Sequence, residues 1–443
     1  MNKFWKKIIY KKNTHSFLLQ LISAFLGFAG FLILARFLNR DAFGHWVIYI
    51  TAYGFIDVLR GGLTIQGVVR FLSAANDNES KKLLGSNWVI NTLIAVILSV
   101  VVLSLRFIFN EAITQSDYHY FFIYYPILVI VSISSFNSQA YLQASLQFDK
   151  MLFIRSFEAG FFTLFILFCY IFNFQSIETV IVAQIIIYAL SSIICIVKGW
   201  DGSKYIINTD KQTVKQIFRF GKYSSATFVG AHLLRSADTF IIGLSTVLGA
   251  QAVAVFSIPL KAVEVLEIPL RSLSQTFYPL MSKLSIENKM NEFRQQFYVH
   301  SGALTLLFVP ILIAGFFLAE EIMVIVGGAE YIEAANIFRV FIFISLIIPV
   351  DRFSGIALDS LNRPDLNFYK IILMVTFNII GDVIAVFYFN SVLLVAFATL
   401  LFLLVGALAG LFFTKKTAGI EIKRILPEGI AFYSKLLKKY MYK

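Results

Sequence analysis

Charged residues are scarce in this chain. Asp, Glu, Lys and Arg make up only 14% of its 443 residues, whereas 58% are hydrophobic and the mean hydropathy is +0.77. A soluble domain carries about 25% charged residues, so the composition indicates a polytopic membrane protein instead. The net charge of +12 lies almost entirely between the hydrophobic runs, and this distribution argues against nucleic acid as a partner.

Cysteines and catalytic motifs are also lacking. The two cysteines, Cys169 and Cys195, lie inside hydrophobic runs, so neither a disulfide framework nor a thiol metal site is supported. The sequence contains no Walker loop, no HExxH, no paired CxxC and no GxSxG motif. We therefore expect a protein that is not an enzyme and has no cofactor and no metal centre. Its energy would come from an ion gradient or from substrate flux.

The hydrophobic runs predict twelve membrane-spanning helices. They lie at about 16–37, 43–65, 88–109, 120–142, 151–172, 179–197, 223–244, 252–280, 299–318, 324–358, 368–389 and 392–413. Lys and Arg concentrate in alternate loops, which predicts that both termini are cytoplasmic.

The longest interior polar segment, 199–222, separates six predicted spans from six, as in transporters built from two repeated halves. We expect an N-terminal six-helix bundle (1–198), a cytoplasmic linker (199–222) and a C-terminal six-helix bundle (223–414). The remaining residues, 415–443, form a basic amphipathic tail, predicted to lie on the cytoplasmic membrane surface.

Charged side chains inside the spans are the main functional candidates. Lys261, Glu264, Glu267 and Arg271 recur at spacings of three and four, which places them on one side of a continuous helix. Each such charge costs roughly 2.5 to 3.5 kcal/mol at the bilayer centre, so this stripe must face protein or water. His232, Arg235 and Asp238 form a second stripe on the preceding span, and together the stripes predict a hydrophilic cavity.

Pro259, Pro269 and Pro279 recur every ten residues in the same predicted span, the eighth. Each removes one intrahelical hydrogen bond, so bending is expected there. A static kink and a helix that flexes as access alternates are both consistent with this pattern.

The cavity candidates fall into two groups. The substrate-binding candidates are the cations Arg60, Arg235, Lys261, Arg271 and Arg352, with the acids Asp57 and Glu264. The ion-coupling candidates are Glu158, Asp238 and Asp382. An alternative stays open for every close pair, including Asp57/Arg60 and Asp351/Arg352, because self-neutralising ion pairs can hold helices together without contacting a substrate.

Three motifs carry a family resemblance: RFLNRDAFGHW after the first span, ADTFIIGLSTVLGAQAVAVFS across spans seven and eight, and GGAEYIEAANIFRVF before span ten. In this order they resemble Wzx-type polysaccharide or oligosaccharide-lipid flippases of the multidrug/oligosaccharidyl-lipid/polysaccharide (MOP) exporter superfamily. The resemblance implies an all-α membrane protein with two six-helix bundles in a V around a central cavity, similar to multidrug and toxin extrusion (MATE) transporters.

The resemblance also implies a function. The expected substrate is a polyprenyl-pyrophosphate-linked oligosaccharide, moved by alternating access from the cytoplasmic to the outer leaflet of a bacterial inner membrane for surface polysaccharide biosynthesis. Membrane lipid, a glycan polymerase and glycosyltransferases are the expected partners.

Two alternatives remain. One is a cation-coupled multidrug exporter of the MATE type. The first span holds Gln20 and Ser23 but no acid, which weakens the resemblance to exporters that bind the coupling cation at a carboxylate in the N-terminal half. Asp57 could substitute for that carboxylate. A membrane glycosyltransferase or polymerase is the other, and the short outer loops argue against it. A lipid II flippase is also similar, but that family typically has fourteen spans.

Overall fold

The computed structural model describes residues 25–72 and 75–441, which form helices and turns without any β-strand. The chain divides into two compact units, unit 1 (Met1–Ser236) and unit 2 (Ala237–Lys443). The all-α fold expected from the sequence is therefore confirmed for the described residues.

Unit 1 begins with a short apolar helix and ends inside a long one. Its helices are α1 (Phe25–Phe37), α2 (Arg40–Leu72), α3 (Asp77–Ile108), α4 (Asn110–Thr114), α5 (His119–Val131), α6 (Ile133–Ala144), α7 (Phe148–Phe172), α8 (Ile177–Val197) and most of α9 (Lys211–Gly243), with a 3-10 turn at Ser203–Asn208.

Unit 2 contains the end of α9 and the remaining helices. These are α10 (Gly249–Glu264), α11 (Glu267–Ile286), α12 (Met290–Phe317), α13 (Ala319–Gly327), α14 (Ala335–Ile342), α15 (Ile344–Ser360), α16 (Pro364–Val383, continued by a π-turn at Ile384–Tyr388), α17 (Val392–Ala418) and α18 (Ile425–Met441).

Local sequence sets several helix ends. The Asn76 side chain accepts from the Glu79 N–H, and the Glu79 side chain accepts from the Asn76 N–H, forming a capping box at the start of α3. Ser176 caps α8 and Ser391 caps α17 in the same manner, each with one hydroxyl oxygen. At the other end of α17, Gly419 adopts a positive φ of 67°, which glycine tolerates without strain.

Nine of the twelve predicted spans correspond to helices that are long and apolar enough to cross a membrane. Seven are single helices, and two are bent pairs: α5 with α6 at 53°, and the segment Ala329–Ile342 with α15 at 41°. The first predicted span begins outside the described residues, and spans seven and eight fall in α9 and in α10 with α11. The count of twelve stays a prediction.

The eighth predicted span is broken instead of continuous. Helix α10 ends at Glu264 and α11 begins at Glu267, because Pro269 has no N–H to continue the α-helical ladder. The Ile268 N–H instead donates to the Val265 carbonyl across a tighter turn, at 3.2 Å. The expectation of one continuous charged stripe is therefore wrong: Lys261 and Glu264 lie on α10, and Glu267 and Arg271 lie on α11.

The predicted linker is ordered and belongs to unit 1. The 3-10 turn Ser203–Asn208 packs on α3, where a Cβ on Gly85 would lie 2.1 Å from the Tyr205 carbonyl oxygen. The Trp88 indole N–H donates to Asp201 at 3.3 Å. From Lys211 onward the segment is already helix α9, so the division between the units falls within α9, after Ser236.

Candidate functional site

In unit 1, Arg60 is fully buried and contacts three groups of its own bundle. Its Nη2 lies 3.4 Å from Asp57 Oδ1, its Nη1 donates to the Val129 carbonyl at 3.2 Å, and its guanidinium carbon lies 3.6 Å from the centre of the Phe136 ring. Val129 and Phe136 stand on either side of the bend between α5 and α6. Arg60 therefore braces this bend, a geometry that favours the structural alternative for the Asp57/Arg60 pair.

Glu158 lies where α7 packs against α8. It accepts a hydrogen bond from the Ser191 hydroxyl at 2.6 Å. Arg155, one turn earlier on α7, interacts electrostatically with Glu158 and donates to Gln139 Oε1 of α6 at 3.4 Å. Arg155 lies within the fifth predicted span, 151–172, but is not among the site residues predicted from the sequence.

In unit 2, Asp238 and Asp382 meet in a buried polar cluster with Asn378 and Thr399. Asn378 Nδ2 donates to Asp238 at 2.7 Å and to Asp382 at 3.1 Å, and the Thr399 hydroxyl donates to Asp238 at 3.1 Å. The two carboxyl groups also interact electrostatically with each other. We refer to these four residues as the carboxylate cluster.

The carboxylate cluster has unused oxygen atoms. Asp382 Oδ1 and Asn378 Oδ1 are buried and accept no hydrogen bond within the described part of the chain. Carboxylate, amide and hydroxyl oxygens are the ligands of hard cations such as Na⁺ and Ca²⁺. Two buried carboxyl groups with neutral hydrogen-bond donors need a proton or a cation, because two uncompensated charges are costly at such a site. The described residues hold no group of three or more His, Cys, Asp or Glu that could bind a metal.

One partly exposed ion pair lies on α10 and another on α11. Lys261 Nζ lies 2.8 Å from Glu264 Oε2, with the two side chains 33% and 41% exposed. Arg271 Nη2 lies 2.6 Å from Glu267 Oε2, with Arg271 52% exposed. These charges remain accessible, as a cavity lining requires, and Arg235 on α9 is exposed as well.

Arg352 is exposed on α15, and the acid beside it is engaged elsewhere. Lys370 of α16 is buried, lies 2.7 Å from Asp351 Oδ1 and donates to the Asp351 carbonyl at 2.7 Å. The alternative of a self-neutralising Asp351/Arg352 pair is therefore not supported, because Asp351 pairs with Lys370 instead. Within the residues that the structure describes, no acid forms an ion pair with Arg352.

Three residues with contacts at these sites are not among those predicted from the sequence: Lys370, Asn378 and Thr399. Lys370 lies near the start of the eleventh predicted span, 368–389, and no acid stands three or four residues from it in the sequence. Asn378 is one turn before Asp382, a spacing that brings two side chains together on one helix face, so this neighbour was detectable. Thr399 of α17 contacts Asp238 of α9, and spacing within one segment cannot reveal a contact between two helices.

A family model described as "Polysaccharide biosynthesis protein" matches residues 33–336 of the chain. Among curated proteins, the chain is 24% identical over 216 residues to a probable low-salt glycan biosynthesis flippase, Agl15, of Haloferax volcanii. That alignment covers 47% of this chain and 45% of the relative, so the chain matches less than half of the relative's length.

Two solved transporters share the fold over nearly the whole chain. An inward-facing MATE multidrug resistance transporter of the MOP superfamily superposes with a TM-score of 0.76 at 12% identity, covering 90% of this chain and 94% of its own. The lipid II flippase MurJ in an inward closed conformation gives a TM-score of 0.70 at 16% identity, covering 96% and 92%. At these identities the similarity establishes the fold alone.

Proposed function

The chain belongs to the polysaccharide biosynthesis protein family, and on this basis we propose that it flips a polyprenyl-pyrophosphate-linked oligosaccharide across the cytoplasmic membrane. It is a multi-pass membrane transporter and not an enzyme. The proposal specifies the substrate, the direction from the cytoplasmic to the outer leaflet, and a bacterial inner membrane with both termini in the cytoplasm. A glycan polymerase and glycosyltransferases are the proposed partners.

The observation that supports an anionic lipid-linked substrate best is the exposed guanidinium of Arg352. Its neighbour Asp351 is neutralised by Lys370 at 2.7 Å, so the positive charge of Arg352 is available to a ligand. A guanidinium binds phosphate oxygens through two parallel hydrogen bonds, which suits a pyrophosphate. We assign Arg352 as the first phosphate contact.

The pairs on α10 and α11 provide further phosphate and sugar contacts. Lys261 and Arg271 each hold an acid on the same helix at hydrogen-bonding distance. Surface-exposed pairs of this kind contribute only about 0 to 1 kcal/mol, so a pyrophosphate can displace the acid at little cost. The released carboxylates of Glu264 and Glu267 then accept hydrogen bonds from sugar hydroxyls.

We place ion coupling at the carboxylate cluster of unit 2. A cation or a proton that binds Asp238 and Asp382 removes the repulsion between the two groups and draws α9, α16 and α17 together. Release of the ion would loosen the same three helices, which provides the two alternative states that alternating access requires. Glu158 is a second, independent candidate in unit 1.

The decisive experiment measures flipping in proteoliposomes of the full chain with a fluorescent polyprenyl-pyrophosphate oligosaccharide. Arg352→Ala should lower the flipping rate about tenfold or more, as expected for the loss of a charge-assisted hydrogen bond. Arg339→Ala is the matched control, since Arg339 is paired with Glu320 at 2.9 Å outside the proposed site. Equal rates for Arg352→Ala and the unaltered protein would contradict the assignment of Arg352.

The same proteoliposomes distinguish the multidrug exporter alternative. If the lipid-linked oligosaccharide is the substrate, the protein should flip it and should not take up cationic dyes. Dye transport without flipping would overturn the proposed substrate, and the carboxylate cluster would then couple an ion to drug export.

A further inference from the structure

The last helix, α18, is docked on α12 with a fixed orientation. The two backbones touch, because a Cβ on Gly302 would lie 2.0 Å from the Ile425 carbonyl oxygen and 3.1 Å from the Cα of Gly429. The Tyr433 hydroxyl donates to the Ala303 carbonyl at 2.9 Å. Together these contacts determine which side of α18 faces away from unit 2.

The docking site lies where α12 becomes apolar. Helix α12 begins at Met290 with a charged first part, and its apolar run starts at about residue 299. The contacts with α18 at Gly302 and Ala303 therefore fall at the start of that run. This position places α18 at the boundary between the membrane and the solution.

One flank of α18 is apolar and exposed. Leu426, Ile430 and Leu437 are 50%, 58% and 61% exposed, and their spacings of four and seven place them on one helix face. Lys435 and Lys438 are also exposed and lie on a different side, one turn apart. An apolar flank beside exposed lysines is the pattern of a helix that lies in a membrane interface.

The charge of the segment indicates which lipid the lysines contact. Residues 421–443 contain six basic residues and two acidic ones. Of these, Arg424 and Glu428 neutralise each other at 2.8 Å, which leaves a basic excess on α18. Lysines beside a membrane surface are attracted to anionic headgroups and gain little from zwitterionic ones.

We propose that α18 is an anionic-lipid binding helix. Leu426, Ile430 and Leu437 insert among the acyl chains, and Lys435 and Lys438 bind the phosphate groups of anionic phospholipids. The close contact between Gly302 and Gly429 links this bound lipid to α12. The lipid is a bilayer component that attaches the end of unit 2 to the membrane surface, distinct from the transported substrate.

The test uses the full chain carrying a bimane fluorophore at Ile430→Cys, reconstituted in vesicles of phosphatidylcholine and phosphatidylglycerol. In one arm the phosphatidylglycerol is brominated, and in the other the phosphatidylcholine is brominated at the same mole fraction. Bromine quenches the fluorophore on contact, so quenching reports which lipid lies against α18.

We expect stronger quenching by brominated phosphatidylglycerol. The preference should fall by about fivefold for each lysine removed, and Lys435→Glu with Lys438→Glu should abolish it.

Two controls complete the design. Lys211→Glu with Lys215→Glu removes two exposed lysines at the start of α9 and should leave the preference unchanged. A fluorophore at Leu401→Cys, where the side chain is 47% exposed inside the twelfth predicted span, should show no preference between the lipids.

Equal quenching at position 430 by the two lipids would overturn the proposal. Quenching by neither lipid would also overturn it, because the apolar flank would then be covered by protein, either a second copy of the chain or a partner. Neither result affects the transport proposal, whose test does not involve α18.

Discussion

Lys370 and Asp351 form an ion pair between α16 and α15, with the ammonium nitrogen 2.7 Å from the carboxylate oxygen and the two side chains 4% and 15% exposed. Three glycines surround this pair closely. A Cβ on Gly406 would lie 2.8 Å from Asp351 Oδ1, one on Gly410 would lie 3.6 Å from Lys370 Cδ, and one on Gly355 would lie 3.5 Å from Lys370 Nζ. The pair thus depends on small residues of α15 and α17.

Removing one partner of this pair should destabilise unit 2 strongly. Lys370→Met leaves the largely buried Asp351 without its cation, which costs up to about 3 to 5 kcal/mol. We expect a lower melting temperature of the purified protein in detergent. Lys370→Met with Asp351→Asn should recover much of the loss, because no unpaired charge remains. Lys283→Met, at an exposed lysine, is the control and should have little effect.

The Lys370/Asp351 pair shows what could be predicted from the sequence and what could not. Nine of the hydrophobic runs coincide with helices that are long and apolar enough to cross a membrane, seven single helices and two bent pairs, because the length and composition of each run can be read from the sequence. Charge pairing was harder to predict. Adjacency left a pair between Asp351 and Arg352 open as an alternative, yet the partner of Asp351 lies nineteen residues away on another helix.

The candidate site shows the same limit. Asp238 and Asp382 were identified separately as ion-coupling candidates, but only the packing of α9, α16 and α17 brings them together. The helix break before Glu267 was only half predicted: the proline repeat indicated bending, yet the periodicity of the charges suggested a continuous helix. Spacing within one segment carries information about one helix face, whereas sites between helices depend on tertiary packing.

Substitution of Arg60 should lower the stability of the protein, whereas substitution of Arg352 should lower the flipping rate and leave stability almost unchanged. Arg60→Ala removes a fully buried guanidinium that holds Asp57, Val129 and Phe136, so it should lower stability by about 3 kcal/mol or more. Arg352→Ala changes an exposed side chain and should leave stability within about 0.5 kcal/mol while reducing flipping. Thermal unfolding and flipping measured on both variants check this expectation. An Arg60→Ala protein with unchanged stability and reduced flipping would instead support a substrate contact for Arg60.

The carboxylate cluster should bind its ion in the purified protein without any substrate. A ligand that binds the folded state raises the melting temperature as the ligand concentration rises. If the coupling ion is Na⁺, we therefore expect Na⁺ to raise the melting temperature of the purified protein. Asp238→Asn and Asp382→Asn should each abolish this rise. If a proton is the coupling ion, Na⁺ has no effect and flipping instead follows the pH gradient.

Asp365→Asn is the control for this experiment, because Asp365 is an exposed acid paired with Arg363 at 2.8 Å away from the cluster. Flipping that is independent of both gradients, with unchanged rates in Asp238→Asn and Asp382→Asn, would contradict ion coupling at this site.

The break between α10 and α11 is the expected hinge for alternation, and Pro269 is the residue that maintains it. Pro269→Ala restores an N–H that can donate to the Val265 carbonyl, which favours one continuous helix through residues 264–267 and stiffens the segment. We expect slower flipping with unchanged binding of the lipid-linked oligosaccharide, because Lys261 and Arg271 keep their side chains. Pro279→Ala is the matched control, since Pro279 lies inside α11 and not at the break. If both variants flip at the unaltered rate, the break is a static kink; if both are slowed equally, the effect comes from the loss of a proline in α11 and not from the hinge.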